Sequence, residues 1–170
     1  MKRIFIPLFL VFLVSFSVRA DEDRTGLYTA IGPSVGSEMG YKTSLGGGLG
    51  VRIGGGFNDR VLLFYNSWSH FGSKNGHPFF LGMGEMKFQF FLLDDFYLNA
   101  GAGAAFTNFN PRTGNNELIG AGFGGSGGMG YEFYLTDQVV LAPEVSFTYC
   151  RAKASNFYLP QAFLLMGWHF

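Results

Sequence analysis

The last nine residues of the chain, 162–170, read AFLLMGWHF. Every second residue from Ala162 to Phe170 is apolar, and the row ends in the aromatic residues Trp168 and Phe170. In an extended strand these side chains share one face, because successive Cβ atoms point to opposite sides. Such a row is unusual at the end of a water-soluble domain, where ordering is weakest. The closing strand of a membrane β-barrel has this form, with the row toward lipid and the aromatic rings at the interface.

The beginning of the chain predicts export. Two basic residues precede a mostly apolar run, residues 4–18, which ends at the small-residue site Val18-Arg19-Ala20. This arrangement is typical of a secretory signal peptide. The run is also shorter than the roughly 20 residues that a membrane-spanning helix needs. We therefore expect cleavage after Ala20, with residues 1–20 as a signal peptide and residues 21–170 as one barrel domain.

The composition is unlike that of a soluble domain. The chain contains 26 Gly, 21 Phe, 8 Tyr and 2 Trp, and only 14% of its residues are charged. Soluble domains average about 25% charged residues and about 7% Gly. Without its signal peptide the domain would have more acidic than basic residues, so it shows no basic footprint for nucleic acid. Beyond residue 20 no apolar run is long enough for a membrane helix, so spanning requires strands.

Alternation with a period of two residues recurs along the whole domain. In residues 45–53, for example, the odd positions are apolar or Gly, and the even positions are Gly or Arg. A helix would mix the two rows on one surface, so the pattern favours strands. The predicted strands cover residues 26–36, 44–56, 60–71, 78–92, 95–107, 118–135, 138–150 and 156–170.

The connections between these strands are of two kinds. Three short connections carry Asp59, Asp94 and Asp137, and Asp suits tight turns because its side chain bonds nearby backbone. The other four are longer and more polar, and they run from Ser37 to Thr43, Gly72 to Pro78, Asn108 to Glu117 and Arg151 to Ser155. Short turns on one rim and longer loops on the other are typical of outer-membrane barrels. The predicted fold class is therefore all-β, an eight-stranded antiparallel transmembrane β-barrel.

These features together resemble a known group of proteins. The signal peptide, the eight alternating strands, the turn from Tyr134 to Val139 (YLTDQV) and the terminal Phe170 are similar to small outer-membrane barrels of the OmpA/OmpX/OmpW type. The likeness covers the whole domain, and its motifs are general to barrels and specify no one member of the group. It implies a location in the bacterial outer membrane, in contact with outer-membrane lipid and the assembly machinery. Trp168 and Phe170 would then serve in assembly and as anchors at the interface.

Charged residues on the row opposite the apolar one are candidates for the barrel interior. Arg52, Glu85, Lys87, Glu132 and Glu144 all lie on this row. An eight-stranded barrel is just wide enough for side chains to fill it, and an ionised group there is costly unless it is paired. We therefore predict a polar network that fills the lumen, with a narrow conducting path as the alternative. The same row also carries Asn66, His70, Gln89, Asn99, Ser146 and Thr148.

The glycine run from Gly120 to Gly130 lacks the Lys-Ser/Thr ending of a phosphate loop, and no helical pattern follows it. Glycine in a strand usually allows another group to approach closely. The glycines at even positions share the predicted lumen face. They either make room for Phe and Tyr side chains from other strands or open a small internal cavity.

One segment has the residue types of a catalytic site. Residues 67–77 (SWSHFGSKNGH) contain serines and two histidines, and a histidine that accepts a serine proton can create a nucleophile. The segment resembles the His-x-Ser-Asn segment of outer-membrane lipid A deacylases of the PagL type, which would imply a hydrolase. We expect solvated loop residues instead, and no catalytic residues. His70, His77 and His169 lack neighbouring Cys or paired carboxylates, so we expect no metal or cofactor.

The sequence therefore favours a non-enzymatic barrel with a role in surface interaction or envelope integrity. An OmpW-like conduit for small apolar molecules is the alternative, motivated by the glycines of the sixth predicted strand. A lipid A-modifying hydrolase is the remaining alternative.

Overall fold

The computed structural model describes residues 24–39, 43–74, 76–110, 115–152 and 155–170, and the predicted signal peptide lies outside these ranges. The described residues form eight long strands, and Phe133–Tyr134 extends the sixth strand beyond Glu132. The strands are β1 (Gly26–Glu38), β2 (Ser44–Asn58), β3 (Val61–Lys74), β4 (His77–Phe91), β5 (Phe96–Asn110), β6 (Asn115–Tyr131), β7 (Val139–Ala152) and β8 (Ser155–His169).

The sheet closes on itself into a barrel. Each strand pairs antiparallel with its neighbours in the chain, and β8 returns to pair with β1. Tyr28 lies opposite His169 and Gly36 opposite Gln161 in this closing pair. Closure satisfies the backbone hydrogen bonds of both edges, as lipid requires. The protein is an eight-stranded antiparallel transmembrane β-barrel, and the prediction that residues 162–170 form its closing strand is confirmed.

The two faces of each strand differ as the alternation predicts. On β8, Leu164 and Met166 are 48% and 41% exposed, whereas Leu165 between them is fully buried. The outward rows of the other strands are likewise apolar, with Leu45 74% and Phe88 61% exposed. Exposed apolar rows that surround the whole barrel need a lipid environment. The inward rows fill the barrel with buried side chains.

The eight strands were predicted in the right order, but they extend further than predicted at the end where the longer loops lie. β3 runs to Lys74 and β4 begins at His77, where the prediction had a loop over most of this segment. Hydrogen bonding between the arms of a hairpin does not depend on an amphipathic pattern, so polar residues can continue the ladder beyond the membrane. The strands have 13 to 17 residues, more than the 9–11 or so that cross a bilayer.

Residues 24 and 170, the first and last that the structure describes, lie at the same end of the barrel. We call this end the turn rim and the opposite end the loop rim. The turn rim contains residues 59–60, 92–95 and 135–138, the three predicted Asp turns. Asn58 Oδ1 accepts a hydrogen bond from the backbone N–H of Arg60 at 2.9 Å. Thr136 Oγ1 accepts one from the N–H of Val139 at 3.1 Å. These side chains stabilise the tight turns locally.

The described residues include no helix with the length and apolar character that crossing a membrane requires.

Candidate functional site in the barrel lumen

The carboxylate of Glu144 is the shared acceptor at the middle of the lumen. Its Oε1 accepts a hydrogen bond from Arg52 Nη2 at 2.7 Å. Its Oε2 accepts from Tyr97 Oη at 3.0 Å and from Asn99 Nδ2 at 2.7 Å. Lys87 Nζ lies 3.9 Å from Oε1. Because these partners come from β2, β4 and β5, one carboxylate on β7 connects strands across the barrel.

A second carboxylate completes this central layer. Glu85 accepts hydrogen bonds from Asn66 Nδ2 at 2.8 Å and from Ser126 Oγ at 2.7 Å. Lys87 Nζ lies 3.7 Å from Glu85 Oε1, so the lysine stands between the two acids. Two cations and two carboxylates therefore share the layer, and all four are buried. Mutual pairing is the condition under which charges persist in a low-dielectric interior.

Glu132 belongs to a separate layer at the turn rim. It lies at the short break between β6 and its extension, and its Oε2 is 3.4 Å from Arg24 Nε. His169 Nε2 is 3.5 Å from the same oxygen, and Gln89 Nε2 donates to Oε1 at 3.5 Å. The five charged residues predicted for the lumen are thus all buried there, but they occupy two heights.

Arg24 is the residue that sequence reasoning missed. Its Nη1 donates to the backbone oxygen of Asp59 at 3.1 Å, and its Nη2 donates to the backbone oxygen of Asp94. The guanidinium also lies 3.9 Å from the ring centroid of Phe91, a cation–π contact. Arg24 therefore connects two turns to Glu132. Arg24 precedes β1 and lies outside the alternating pattern, so the pattern assigns it to neither face. The acidic residues of the turns were the one sequence feature that could have indicated a partner for it.

Asp95 lies in the turn between β4 and β5, outside the membrane-spanning strands. Burial raises the pKa of its carboxyl above the ordinary value. Tyr131 Oη, which donates to it at 3.0 Å, and the charge of Arg24 act in the opposite direction and are outweighed. The carboxyl is therefore more easily protonated than that of an exposed aspartate.

The glycine run makes room for a side chain of the neighbouring strand. A Cβ placed on Gly130 would lie 2.4 Å from Tyr97 Oη, and one on Gly128 would lie 3.1 Å from Asn99 Oδ1. Tyr97 and Asn99 are the side chains that donate to Glu144. The first of the two alternatives therefore holds at Gly130, where the missing side chain lets Tyr97 reach the central layer.

His70 does not form a catalytic pair with Ser67 or Ser69, and it is not the solvated loop residue that the sequence predicted. His70 faces the lumen and is fully buried, whereas Ser67 and Ser69 lie on the outward row of β3. Ser69 Oγ donates to the backbone oxygen of Leu49 at 3.5 Å. Neither ring nitrogen of His70 has a hydrogen-bond partner. Within the described ranges, His, Cys, Asp and Glu form no group of three that could hold a metal ion.

Trp168 and Phe170 lie at the turn rim. Phe170 is exposed, and its backbone exchanges two hydrogen bonds with Leu27, at 2.9 and 3.2 Å. Trp168 is half-buried and pairs with Thr29 and Val139 on the neighbouring strands. Both residues therefore lie at the end of the barrel where β8 meets β1.

A closed barrel with an apolar outer face and a lumen that holds buried, ion-paired side chains defines a small transmembrane β-barrel protein. No protein-family model matches the sequence, and no curated protein does. The fold is similar to that of Neisserial surface protein A, with a TM-score of 0.69 and 13% identity over 86% of this chain and 98% of that one.

Two further structures are similar. Ail, the attachment invasion locus protein of Yersinia pestis, gives a TM-score of 0.59 and 14% identity over 86% of this chain and 99% of that one. OprG, an outer membrane protein of Pseudomonas aeruginosa, gives a TM-score of 0.50 and 12% identity, over 89% of this chain and 99% of that one. At these identities the similarity shows the fold. The resemblance to small eight-stranded outer-membrane barrels is confirmed at that level.

Proposed function

We propose that the protein is a non-enzymatic barrel of the bacterial outer membrane with a role in surface interaction or envelope integrity. The observation that carries this proposal is the central layer. The ion pair between Arg52 and Glu144 and the buried Lys87, 3.9 Å from the same carboxylate, occupy the lumen at mid-height. A lumen filled in this way leaves the rims as the surfaces on which a partner can bind.

Three features support the outer-membrane location. The outward rows are apolar, the similar structures are outer-membrane or surface proteins, and the sequence predicts a signal peptide. The positions of Trp168 and Phe170 support the further proposal that they anchor the turn rim in the interface. The same exposed end would be available to the assembly machinery during insertion.

The charges at the two rims indicate the chemistry of a surface partner. In the sequence, the four longer connections between strands and the strand residues next to them contain the basic residues Lys42, Lys74, Arg112, Arg151 and Lys153 and the acidic residues Glu38 and Glu117. The turns at the other rim contain Asp59, Asp94, Asp95 and Asp137 and one basic residue, Arg60. An excess of basic residues attracts phosphate or sulfate groups, so we infer an anionic glycan or lipid headgroup as the partner of the loop rim. Ail, one of the similar proteins, is also known in complex with the heparin analogue sucrose octasulfate.

Binding of sucrose octasulfate to the barrel in zwitterionic lipid nanodiscs tests the surface role. We expect binding that weakens as salt is added, because exposed charges are screened. Arg151, exposed at the loop rim, should contribute, and Arg151→Ala should weaken binding about two- to fivefold. Isothermal titration calorimetry measures this change.

Arg60→Ala is the matched control, since Arg60 is exposed at the opposite rim. It should leave the affinity unchanged. Equal losses in both variants would show non-specific charge attraction, and no binding at low salt would remove the anionic partner from the proposal.

The rival function is an OmpW-like conduit for small apolar molecules. The glycines on the lumen faces of β2 and β6 favour it, because they leave parts of the wall without side chains. The central layer opposes it. In planar lipid bilayers we expect no stepwise current from the wild-type barrel, and regular unitary openings would favour the conduit. The lipid A hydrolase has no support from His70, since His70 lies on the opposite face of β3 from Ser67 and Ser69.

A further inference from the structure

Acceptor oxygens from three separate segments surround one guanidinium group at the turn rim. Arg24 Nη1 donates to the backbone oxygen of Asp59 at 3.1 Å. Nη2 donates to the backbone oxygen of Asp94 and to Asp95 Oδ1, the latter at 3.3 Å. Nε donates to Glu132 Oε2 at 3.4 Å. All three nitrogens of the group therefore have an acceptor, and the side chain of Arg24 is only 7% exposed.

Two aromatic rings complete these surroundings. The guanidinium carbon lies 3.9 Å from the ring centroid of Phe91 and 5.7 Å from that of Tyr134. A planar guanidinium stacks on aromatic faces, and its five N–H donors form a rigid fork. A lysine ammonium has three donors and no flat face, so it cannot serve four acceptors and a ring at once. The arrangement is therefore specific for a guanidinium group.

These acceptors require a cation, because two of them are carboxylates with little access to water. The side chain of Glu132 is fully buried and that of Asp95 is 13% exposed. Tyr131 Oη donates to Asp95, and His169 Nε2 lies 3.5 Å from Glu132 Oε2. A tyrosine is neutral and a histidine is charged only when protonated, so neither replaces the permanent charge of an arginine. Buried carboxylates without a cationic partner are costly.

The present occupant comes from a segment outside the wall of the barrel. Residues 24 and 25 precede β1 and belong to no strand. Gly26 has a φ of 105°, a left-handed conformation that favours glycine, and it sets the direction in which this segment leaves β1. A Cβ on Gly56 would overlap the backbone oxygen of Arg24, so the bare position on β2 makes room for the segment. Two glycines thus accommodate a segment that no strand ladder holds.

We propose that the acceptors around Arg24 are a binding site for a guanidinium group, which Arg24 fills from within the chain. The ligand class is an arginine side chain of another protein, which competes with Arg24 for the same oxygens. A group tethered beside its site has an effective concentration on the order of millimolar, so the free ligand binds well only when residues 24 and 25 withdraw. The site lies at the opposite end from the loop rim. It therefore goes beyond the proposed surface role, and either proposal can fail alone.

Histidine resonances report on this site, because His169 lies beside Glu132. The full barrel labelled with ¹⁵N-histidine is refolded into lipid nanodiscs and titrated with guanidinium chloride, with sodium chloride at the same concentrations as the reference. His169→Phe identifies the His169 ring signals by their loss. Arg24→Ala empties the site, and we expect saturable shifts of the His169 ring nitrogens in this variant. His70, near the other end of the barrel, should not respond.

The wild-type barrel should respond at least about tenfold more weakly than Arg24→Ala, because its own arginine competes with the probe. Arg60→Ala is the matched control. Arg60 is exposed at the same rim, so its removal should leave the response equal to that of the wild type.

Two small amides test the ligand class in Arg24→Ala. Nα-acetyl-arginine amide should give saturable shifts of the same His169 signals. Nα-acetyl-lysine amide has the same charge but lacks the fork, and we expect it to bind at least about tenfold more weakly.

Gly26→Ala is a second variant and serves if Arg24→Ala does not fold. A Cβ on Gly26 would overlap the backbone oxygen of Phe170 and would be strained at this φ. We therefore expect it to displace the segment and to leave the site open to the probe. Shifts that grow linearly, that sodium chloride reproduces, that are as large in the wild type or that the lysine amide matches would overturn the proposal. So would the absence of a response in both variants.

Discussion

Replacing Glu144 with glutamine should lower the free energy of unfolding by about 3–5 kcal/mol, the usual cost of removing one partner of a buried ion pair. The substitution keeps the size of the side chain and removes its charge. Arg52 would lose its 2.7 Å carboxylate partner in a fully buried site, and Lys87 would keep only Glu85. Urea unfolding in lipid vesicles, followed by tryptophan fluorescence, measures the loss.

Two variants make this expectation specific. Adding Arg52→Met to Glu144→Gln removes the stranded cation and should recover most of the lost stability, because apolar replacements of buried ion pairs are often close to neutral. Asp59→Asn is the same chemical change at an exposed turn and should alter stability by less than about 0.5 kcal/mol. If Glu144→Gln costs no more than Asp59→Asn, the central layer does not hold the barrel together.

The sequence predicts which side chains enter the lumen, because the strand period of two is local. Arg52, Lys87 and Glu144 lie on the inward rows for this reason, and their burial needs no long-range information. Which of these side chains pair with one another cannot be predicted in the same way. Arg52 and Glu144 are separated by 92 positions, and only the register of the closed barrel brings them to 2.7 Å. That register depends on every strand pair together, so the sequence pattern does not specify it.

The turn rim was less predictable than the strands. Arg24 stands before β1, where there is no alternation to assign it a face, yet it contacts two turns and Glu132. Glu132 in turn lies two residues beyond Gly130, which pairs with Glu144, so it is closer to the turn rim than the central layer is. At the loop rim the sequence predicted too much loop. Polar residues up to Lys74, which were predicted to form a loop from Gly72, continue the strand β3 instead. Tertiary pairing overrides local composition at both rims.

A lysine in place of Met166 tests the membrane-facing surface. Met166 lies on the outward row of β8, 41% exposed, between Ile31 of β1 and Leu141 of β7. We expect Met166→Lys to cost up to about 2–4 kcal/mol if the position is near the bilayer midplane, and less if it lies closer to the interface. The cost arises because the lysine ammonium group must either lose its contact with water or be held at the interface by an extended side chain. Urea unfolding in lipid vesicles measures it.

Met39 provides the matched control for this change. It follows β1 at the loop rim and is 51% exposed, so the same substitution there stays near water. Met39→Lys should cost about 0–1 kcal/mol, the range found near the interfaces. The difference between the two variants depends on depth in the lipid, because side-chain chemistry and exposure are nearly equal. In lipid-free detergent micelles, which adapt more readily to a charge, the gap should narrow. Equal costs in vesicles would mean that the outward row of β8 does not face hydrocarbon, and the barrel would then need another explanation for its apolar exterior.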